Sequence, residues 1–273
     1  MFMSLIHNGT LIIMNNFNEE MWYKNCIDYK ISFSILVSTH IKKLFLKKIN
    51  FNRMHYLKNL ISVSDVLEDE IRKKILKYKF NFHEIYGAAE ISTVANIKHR
   101  SNSKSKSVGK ILPFVKVKII KNNKFCSDEE IGEIICKTPL KFKNYYKDEK
   151  ETKNSFFKGF FKTGDLGYIK NNYLFFSGRI KNMIKISGIS VFPEDIEKIL
   201  KRNKYVKDCV IKSEYDKING SRLIAMIEGN KTKEDDIYFY CLKNLEIFQV
   251  PSKIVFVESF ERTNLGKIKR NAI

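Results

Sequence analysis

Residues 159–188 read GFFKTGDLGYIKNNYLFFSGRIKNMIKISG, and this stretch decides how the rest of the chain is interpreted. Two glycine-containing segments, TGD at residues 163–165 and SGR at residues 177–179, flank a short aromatic strand predicted at residues 173–176. Each segment predicts a tight turn, one fixing an aspartate and the other an arginine a short way off. The aspartate can accept hydrogen bonds from hydroxyl groups, and the arginine is a planar cation that can bind phosphate. With both side chains at one edge of the predicted strands, the arrangement suits a nucleotide.

The first ninety or so residues have an alternating pattern of apolar and amphipathic segments. Apolar runs predict short buried strands at residues 10–14, 31–38, 60–63 and 83–86. Amphipathic segments predict helices between them, at residues 18–29, 40–48 and 65–79. Strands that alternate with helices indicate a parallel α/β sheet, which we assign to residues 1–106.

The pattern changes after the polar segment SNSKSKS, which begins at Ser101. Short β runs, with turn signals at Asn122-Asn123 and Asn171-Asn172, predict a β-rich subdomain over residues 107–178. Residues 179–273 alternate helices and strands again and predict a small C-terminal α+β domain. The predicted fold class is therefore α/β plus α+β, with a domain boundary between residues 178 and 179.

The net charge of +20 raises the question of an acidic partner. A nucleic acid or an anionic membrane is one interpretation. However, the 50 basic residues comprise 42 lysines and only 8 arginines, spread along the whole chain. Proteins that read bases or clamp phosphates rely on arginine, so we favour a general compositional bias and predict no specific nucleic-acid partner. The scattered lysines would still give salt-sensitive, non-specific polyanion binding.

The five cysteines are odd in number and widely spaced, without a CxxC pair. This pattern supports neither a zinc site nor a disulfide framework, and it fits a cytoplasmic protein. The first residues, MFMSLIHNGTLIIM, lack the basic region and the cleavage site of a signal peptide. No apolar run approaches the length of a membrane span, so no transmembrane segment is predicted.

Six segments then follow one another in a distinctive order. They are YGAAE (86–90), SVGKILPFVKV (107–117), GEI (132–134), FFKTGDLGYI (160–169), GRIKNMIKISGISVFPEDIE (178–197) and VPSKIVFVESFERTNLGKIKR (250–270). Together they resemble the carboxyl half of the adenylate-forming superfamily, and the wording is closest to its fatty-acyl and aryl-CoA ligases. The resemblance runs from about residue 4 to the end. It implies that residues 1–178 are part of an AMP-binding lobe and residues 179–273 the family's C-terminal domain.

The resemblance assigns nucleotide contacts to four residues. Tyr86 is expected to stack on the adenine, with Gly87 beside it in the same contact. Asp165 is expected to accept hydrogen bonds from the ribose hydroxyls. Arg179 is expected to contact the ribose or a phosphate. The implied ligands are ATP and AMP.

The resemblance also assigns residues to the chemistry. Glu90 is expected to hold Mg²⁺, because hard cations prefer carboxylate oxygen. Lys267, on a Gly-Lys loop, is expected to offset charge at the substrate carboxylate and the α-phosphate. Lys181 occupies the hinge about which the small domain of this family rotates, and Gly188 would line the channel for the thiol of CoA.

One part of the family pattern is missing from the sequence. The Ser/Thr/Gly-rich phosphate loop has no counterpart, and no GxxxxGK[ST] motif occurs. Ala89 also stands where the family has Thr or Ser, and Glu261 where it has Pro. We therefore expect a truncated, split or degenerate ligase that is inactive alone, with a separate N-terminal polypeptide as one possible partner.

The sequence thus predicts ATP-dependent activation of a small carboxylate through an acyl-adenylate, with transfer to CoA. A carrier-protein-directed adenylation enzyme is an alternative with the same first step. A non-catalytic AMP-binding module and one half of a split ligase are two further alternatives. A polyanion-binding protein is the remaining alternative, from a different functional class.

Overall fold

The computed structural model describes residues 8–47, 49–64, 67–99, 107–186, 189–216, 220–263 and 266–270. The α-helices in these ranges are α1 (Glu19–Asp28), α2 (Ser38–Leu46), α3 (Asp69–Ile75), α4 (Glu149–Asn154), α5 (Pro193–Leu200) and α6 (Glu234–Asn244). The strands are β1 (Phe33–Val37), β2 (Asn59–Val63), β3 (Asn81–Ala88), β4 (Ser92–His99), β5 (Gly109–Ile111), β6 (Lys116–Lys121), β7 (Lys124–Phe125), β8 (Gly132–Lys137), β9 (Phe156–Phe157), β10 (Phe160–Lys170), β11 (Tyr173–Arg179), β12 (Ile184–Ile186), β13 (Ile189–Val191), β14 (Val206–Asp216), β15 (Gly220–Gly229) and β16 (Lys253–Val257).

Two compact units make up the chain. The first, called the N-terminal unit, comprises Met1–Gly87 and Thr93–Leu112, and the second, called the C-terminal unit, comprises Ala88–Ser92 and Pro113–Ile273. The sequence-based domain boundary between residues 178 and 179 stays a prediction.

The N-terminal unit contains a sheet with the order β1-β2-β3-β4-β5. Strands β1, β2 and β3 are parallel neighbours, as the alternation of strands and helices predicted. Helix α1 begins where the Asn18 side chain accepts a hydrogen bond from the Met21 amide, and Glu19 and Glu20 favour its positive N-terminal end. A buried cluster fills the space beside the sheet and includes Trp22, Ile41, Leu44, Leu60 and Phe82.

The strand predicted at residues 10–14 is wrong. Residues 9–14 have no regular secondary structure, and the side chains of Leu11 and Ile13 are 40% and 71% exposed. An apolar run becomes a strand only when a neighbour takes up its backbone hydrogen bonds. None of the strand pairs formed by the described residues includes this segment.

The C-terminal unit begins with a sheet of order β11-β10-β8-β6-β7, to which β9 adds beside β10. Its neighbouring strands are antiparallel. Both predicted asparagine turns are confirmed, since residues 122, 123, 171 and 172 all have positive φ, between 50° and 62°. Two consecutive residues with positive φ form the turn that suits a two-residue hairpin. Each of these turns therefore fixes the register of the strands it joins.

The rest of the C-terminal unit is an α+β arrangement, as predicted. Strand β15 lies between β14, which is antiparallel to it, and β16, which is parallel. Helix α5 starts with Pro193 in its first turn and buries Ile196 and Leu200, which lie four residues apart on one face. In the described part of the chain, no helix is long and apolar enough to cross a membrane.

Candidate functional site

The hairpin formed by β10 and β11 determines which residue lies opposite Asp165. The turn at residues 171 and 172 pairs the ends of the two strands, and the register continues regularly for four pairs. One residue of β11, Ser177, is then left over, which is a β-bulge. With a regular register Asp165 would lie opposite Gly178, but the bulge places Arg179 there instead.

Asp165 and Arg179 form an ion pair across this hairpin. The Nε atom of Arg179 lies 3.3 Å from Oδ1 of Asp165. The aspartate side chain is 15% exposed, whereas the arginine side chain is 50% exposed. A guanidinium has five N–H groups, so an arginine that faces one carboxylate can still donate to a phosphate or a hydroxyl. The predicted pairing of an acceptor with a planar cation is therefore present in the structure.

The two glycine-containing segments are not tight turns, contrary to the prediction. Both lie inside strands, TGD within β10 and SGR within β11. Gly164 has φ +69°, and the register of β10 against β8 is interrupted beside it. The Thr163 hydroxyl donates to the carbonyl oxygen of Ile134, 2.7 Å away, and accepts from the Asp165 amide at 3.1 Å. Glycine at this position allows an irregularity within the strand. In the sequence, such a glycine looks the same as a glycine in a turn.

Glu90 lies in a turn of the C-terminal unit and is hydrogen bonded to Tyr145. The Tyr145 hydroxyl donates to Oε1 of Glu90 at 3.0 Å, and the Phe142 amide donates to the Glu90 carbonyl oxygen at 2.7 Å. Burial, followed by the hydrogen bond to Glu90, raises the pKa of Tyr145 above its usual value. These contacts fix the orientation of one half-buried carboxylate.

A single oriented carboxylate fits the way Mg²⁺ is usually held with a nucleotide. Mg²⁺ keeps several waters and takes one or two carboxylates plus phosphate oxygens, so it needs no cage of protein ligands. No group of three or more His, Cys, Asp or Glu residues suited to a metal occurs among the described residues. Glu90 is thus compatible with Mg²⁺ that arrives with its substrate.

Lys181 lies two residues after Arg179, the ion-paired arginine of β11. It lies in the 3₁₀ turn Ile180–Asn182, where its side chain is exposed. Lys181, Lys212 and Arg270 line one cavity of about 210 Å³. Two lysines and one ion-paired arginine therefore line a cavity beside the segment that was predicted to be the hinge.

Lys267 lies in a small hairpin close to the end of the chain. The Thr263 amide donates to the Lys267 carbonyl oxygen at 2.8 Å, and the Lys267 amide donates to the Thr263 hydroxyl at 3.2 Å. The Gly266 amide also donates to the Thr263 carbonyl oxygen at 2.8 Å, and Gly266 has φ +79°. Three hydrogen bonds with Thr263 thus fix the backbone of Gly266 and Lys267.

The remaining predicted residues are Tyr86, Gly87 and Gly188. Tyr86 and Gly87 are in β3 of the N-terminal unit, with Tyr86 half-buried and Gly87 exposed. Gly188 lies outside the described residues. The functional roles assigned to all eight predicted site residues stay predictions.

Two residues with a place in the site were missed by sequence reasoning. Glu133 accepts a hydrogen bond from the Gly164 amide at 3.3 Å, and burial raises its pKa despite the nearby Lys162. Tyr145 holds the Glu90 carboxylate. Glu133 lies within GEI, one of the six motif segments, and its place in that segment could have identified it from the sequence. Tyr145 is 55 residues from Glu90 in sequence, and no local pattern links the two.

Comparison with known proteins identifies the family. A profile described as AMP-binding enzyme matches residues 1–146, and a second, described as AMP-binding enzyme C-terminal domain, matches residues 195–267. The chain belongs to the AMP-binding enzyme family. This confirms the resemblance to the adenylate-forming superfamily that the motifs indicated.

Individual members of the AMP-binding family match nearly the whole chain. The 2-succinylbenzoate–CoA ligase of Bacillus licheniformis is 27% identical over 278 residues, which covers 100% of this chain and 58% of the relative. The o-succinylbenzoate CoA synthetase of Bacillus subtilis, solved with its acyl-adenylate intermediate, has a TM-score of 0.89 at 23% identity, covering 99% of this chain and 56% of that one. The same synthetase was also solved with ATP and magnesium. This likeness confirms the predicted fold class.

The AMP-binding family relatives are longer than this chain. The chain spans about half the length of the curated relatives it matches, between 50% and 58% for the bacterial ligase, a luciferin 4-monooxygenase and a nematode acyl-CoA synthetase. What those whole proteins do therefore bears on this chain only as a proposal.

Proposed function

We propose that the chain takes part in ATP-dependent activation of a carboxylate. In this reaction the carboxylate attacks the α-phosphate of ATP, which gives an acyl-adenylate and releases pyrophosphate. A thiol then attacks the acyl carbon, which gives a thioester and releases AMP. Family membership supports this reaction class, and relatives named as CoA ligases support CoA as the thiol.

The observation that carries the proposal is the pairing of Asp165 with Arg179. A partly buried carboxylate beside a half-exposed guanidinium provides an acceptor for ribose hydroxyls and a donor for phosphate. The Thr163 and Gly164 contacts with β8 hold this edge in place. Such an edge would favour a nucleotide over a simple phosphate ion, because only a nucleotide offers both ribose hydroxyls to the carboxylate and a phosphate to the guanidinium.

Three further residues complete the proposed chemistry. Tyr86 offers a flat ring for stacking on the adenine, beside Gly87. Glu90, oriented by Tyr145, would hold Mg²⁺, which neutralises charge on the phosphates. The Lys267 ammonium would offset the negative charge that develops as the carboxylate approaches the α-phosphate.

The partners of the reaction belong to the proposal as well. The substrate is a small carboxylate, and the acceptor is the thiol of CoA or of a carrier protein, with Gly188 in its channel. The phosphate loop of the family has no counterpart in the 273 residues, so other residues, in the same or a separate polypeptide, would supply those contacts. A cytoplasmic location and the hinge at Lys181 stay predictions from the sequence.

Two measurements test the proposed function. Isothermal titration with AMP, adenosine and inorganic phosphate should detect AMP binding that is tighter than the binding of either fragment. Carboxylate-dependent exchange of labelled pyrophosphate into ATP then tests whether the protein also completes the adenylation step. Equal affinity for AMP and inorganic phosphate would mean that the cation alone is recognised, and the nucleotide site would be abandoned.

A further inference from the structure

The hairpin that carries Lys267 is held at both of its ends by ion pairs to other elements. Its two sides are joined by a bridge between Arg262 and Ile268 and by a hydrogen bond from the Lys269 amide to the Glu261 carbonyl oxygen at 2.9 Å. The side chains of Lys269 and Glu261 also form an ion pair. These contacts close the hairpin but do not attach it to the rest of the domain.

Arg262 makes the first attachment. Its Nη2 atom donates to Oδ2 of Asp208 at 2.8 Å and to Oε2 of Glu228 at 3.3 Å. Its Nη1 atom donates to the carbonyl oxygen of Gly266 at 3.2 Å. One guanidinium thus connects β14 and β15 to the residue that immediately precedes Lys267.

The two carboxylates that receive Arg262 lie opposite each other in the register of β14 and β15. The two negative charges repel each other in this position, so a cation between the carboxylates is needed to stabilise the pair. Burial alone would raise the pKa of Asp208 and of Glu228, but neighbouring cations outweigh it and hold both below their usual values. These cations are Arg262 for both, Lys201 at 2.7 Å for Asp208, and Lys207 for Glu228. The attachment point is therefore a charged pair that stays ionised at neutral pH.

Arg270 makes the second attachment, three residues after Lys267. Its Nη2 atom lies 2.5 Å from Oε2 of Glu197, a residue that is only 5% exposed. The other carboxylate oxygen of Glu197 accepts a hydrogen bond from the Ile211 amide at 2.8 Å. The end of the hairpin is thereby attached to helix α5 and strand β14 through a carboxylate whose two oxygens each have a partner.

We propose that Arg262 and Arg270 are positioning residues that hold the Lys267 hairpin in one orientation, through Asp208, Glu228 and Glu197. This inference rests on the proposed function for the role of Lys267 and adds the residues that direct it. A catalytic lysine on an unattached hairpin would lose orientation at each turnover, and small misplacements of a charged group reduce rate strongly. Two attachments, one on each side of Lys267, leave little freedom to its backbone.

Amide hydrogen exchange on the full chain provides the first test, because it does not depend on activity. Arg262→Gln should speed exchange at Gly266 and Lys269 at least tenfold, whereas Arg262→Lys, which keeps the charge, should speed it less. Arg222→Gln is the matched control, since Arg222 pairs with Glu214 across the same two strands, and among the described residues none of its hydrogen bonds or ion pairs reaches the hairpin. Unchanged exchange at both amides in folded Arg262→Gln protein would overturn the proposal.

Ligand affinity provides the second test. The ratio of the adenosine to the AMP dissociation constant measures how much the phosphate contributes to binding. Arg262→Gln should lower this ratio several-fold with little change in adenosine affinity, Arg262→Lys should recover part of it, and Arg222→Gln should leave it unchanged. A merely structural role would weaken adenosine and AMP equally, and that result would also overturn the proposal.

The two readouts separate this inference from the proposed function. If exchange responds as expected but the wild-type protein binds neither ligand, the attachments stand and the nucleotide site fails. If the wild-type protein binds AMP but exchange does not respond, the nucleotide site stands and the attachments fail.

Discussion

Arg179 lies opposite Asp165 because Ser177 is an extra residue in strand β11. The resulting distance of 3.3 Å from Nε to Oδ1 joins a partly buried acceptor to a half-exposed cation. Two features of the sequence are needed for this result, an asparagine turn that sets the register and a bulge that changes it by one position. The pair that the sequence analysis expected from two turns is therefore produced by one turn and one bulge.

Replacing Asp165 with Asn should weaken AMP binding by about ten- to a hundredfold. Hydrogen bonds to charged groups contribute about 1.5–3 kcal/mol each, and the substitution removes the charged acceptor while keeping the shape. Isothermal titration measures the change. Glu129→Gln is the matched control, because Glu129 pairs with Lys170 at the other end of the same hairpin. Equal losses in both variants would point to general destabilisation of the hairpin instead.

Replacing Glu90 with Gln should reduce the dependence of ATP binding on Mg²⁺ while leaving AMP binding in its absence unchanged. The carboxylate charge is what attracts the hard cation, and an amide oxygen replaces it poorly. Tyr145→Phe should give a smaller effect in the same direction, about 1 kcal/mol, because it removes only the hydrogen bond that orients Glu90. ATP titrations at several Mg²⁺ concentrations measure both effects.

Glu149→Gln serves as the control for this pair, since Glu149 is exposed at the start of helix α4. An ATP affinity in Glu90→Gln protein that depends on Mg²⁺ as steeply as in the wild type would remove Glu90 from the proposed metal contact.

The sequence predicted the order of most elements, because their signals are local. Helix α5 illustrates this, with Pro193 at its start and Ile196 and Leu200 four residues apart. The asparagine turns are equally local, because a two-residue loop with positive φ favours asparagine. The order of the motifs also predicted membership of the adenylate-forming superfamily, and the matching family profiles confirm this prediction.

Other features depend on contacts between distant residues and were not predictable in this way. The apolar run at residues 10–14 has a strand-like composition but finds no partner strand among the described residues. Gly164 and Gly178 suggested turns, although both lie in strands whose irregular register is set by neighbours. The attachment of Arg262 to Asp208 spans 54 residues, so its two halves carry no shared local signal.

Replacing Gly178 with Ala should destabilise the C-terminal unit by more than the same change at Gly159. Gly178 has φ +152°, and an added Cβ would lie 2.9 Å from the Cδ1 atom of Phe192. Gly159 has φ +79°, but an added Cβ there meets no atom within 4 Å. Both positions have positive φ, so both substitutions carry backbone strain of about 1–3 kcal/mol, and Gly178→Ala adds the contact with the ring. Urea unfolding followed by circular dichroism gives both values.

The ring can be tested directly by combining Gly178→Ala with Phe192→Leu. If the clash is the cause, the double variant should be more stable than the sum of the two single changes implies. Additive losses would assign the effect of Gly178→Ala to backbone strain alone.

The N-terminal unit should lose stability in acid through Glu84. This buried carboxylate lies 2.5 Å from both the Arg72 and the His99 side chains and accepts a hydrogen bond from the Leu67 amide at 3.1 Å. Burial would raise its pKa, but His99 and Arg72 outweigh burial and lower the pKa below the ordinary value of 4.5. The unfolded chain therefore binds more protons than the folded chain below about pH 4.5, and stability must rise with pH across that window.

The contribution of Glu84 is thus complete above pH 4.5 and is lost as the pH falls through the lowered folded value. Glu84→Gln should cost about 3 kcal/mol at pH 7, because it removes the buried partner of Arg72 and leaves that guanidinium only the exposed Asp69, and the cost should shrink towards pH 3. Fluorescence of Trp22, the single tryptophan, reports the unfolding of this unit because it lies in its core. The exposed Glu70 provides the control variant, Glu70→Gln, which should show little effect at either pH. A cost of Glu84→Gln that stays constant from pH 7 to pH 3 would contradict the assigned ionisation.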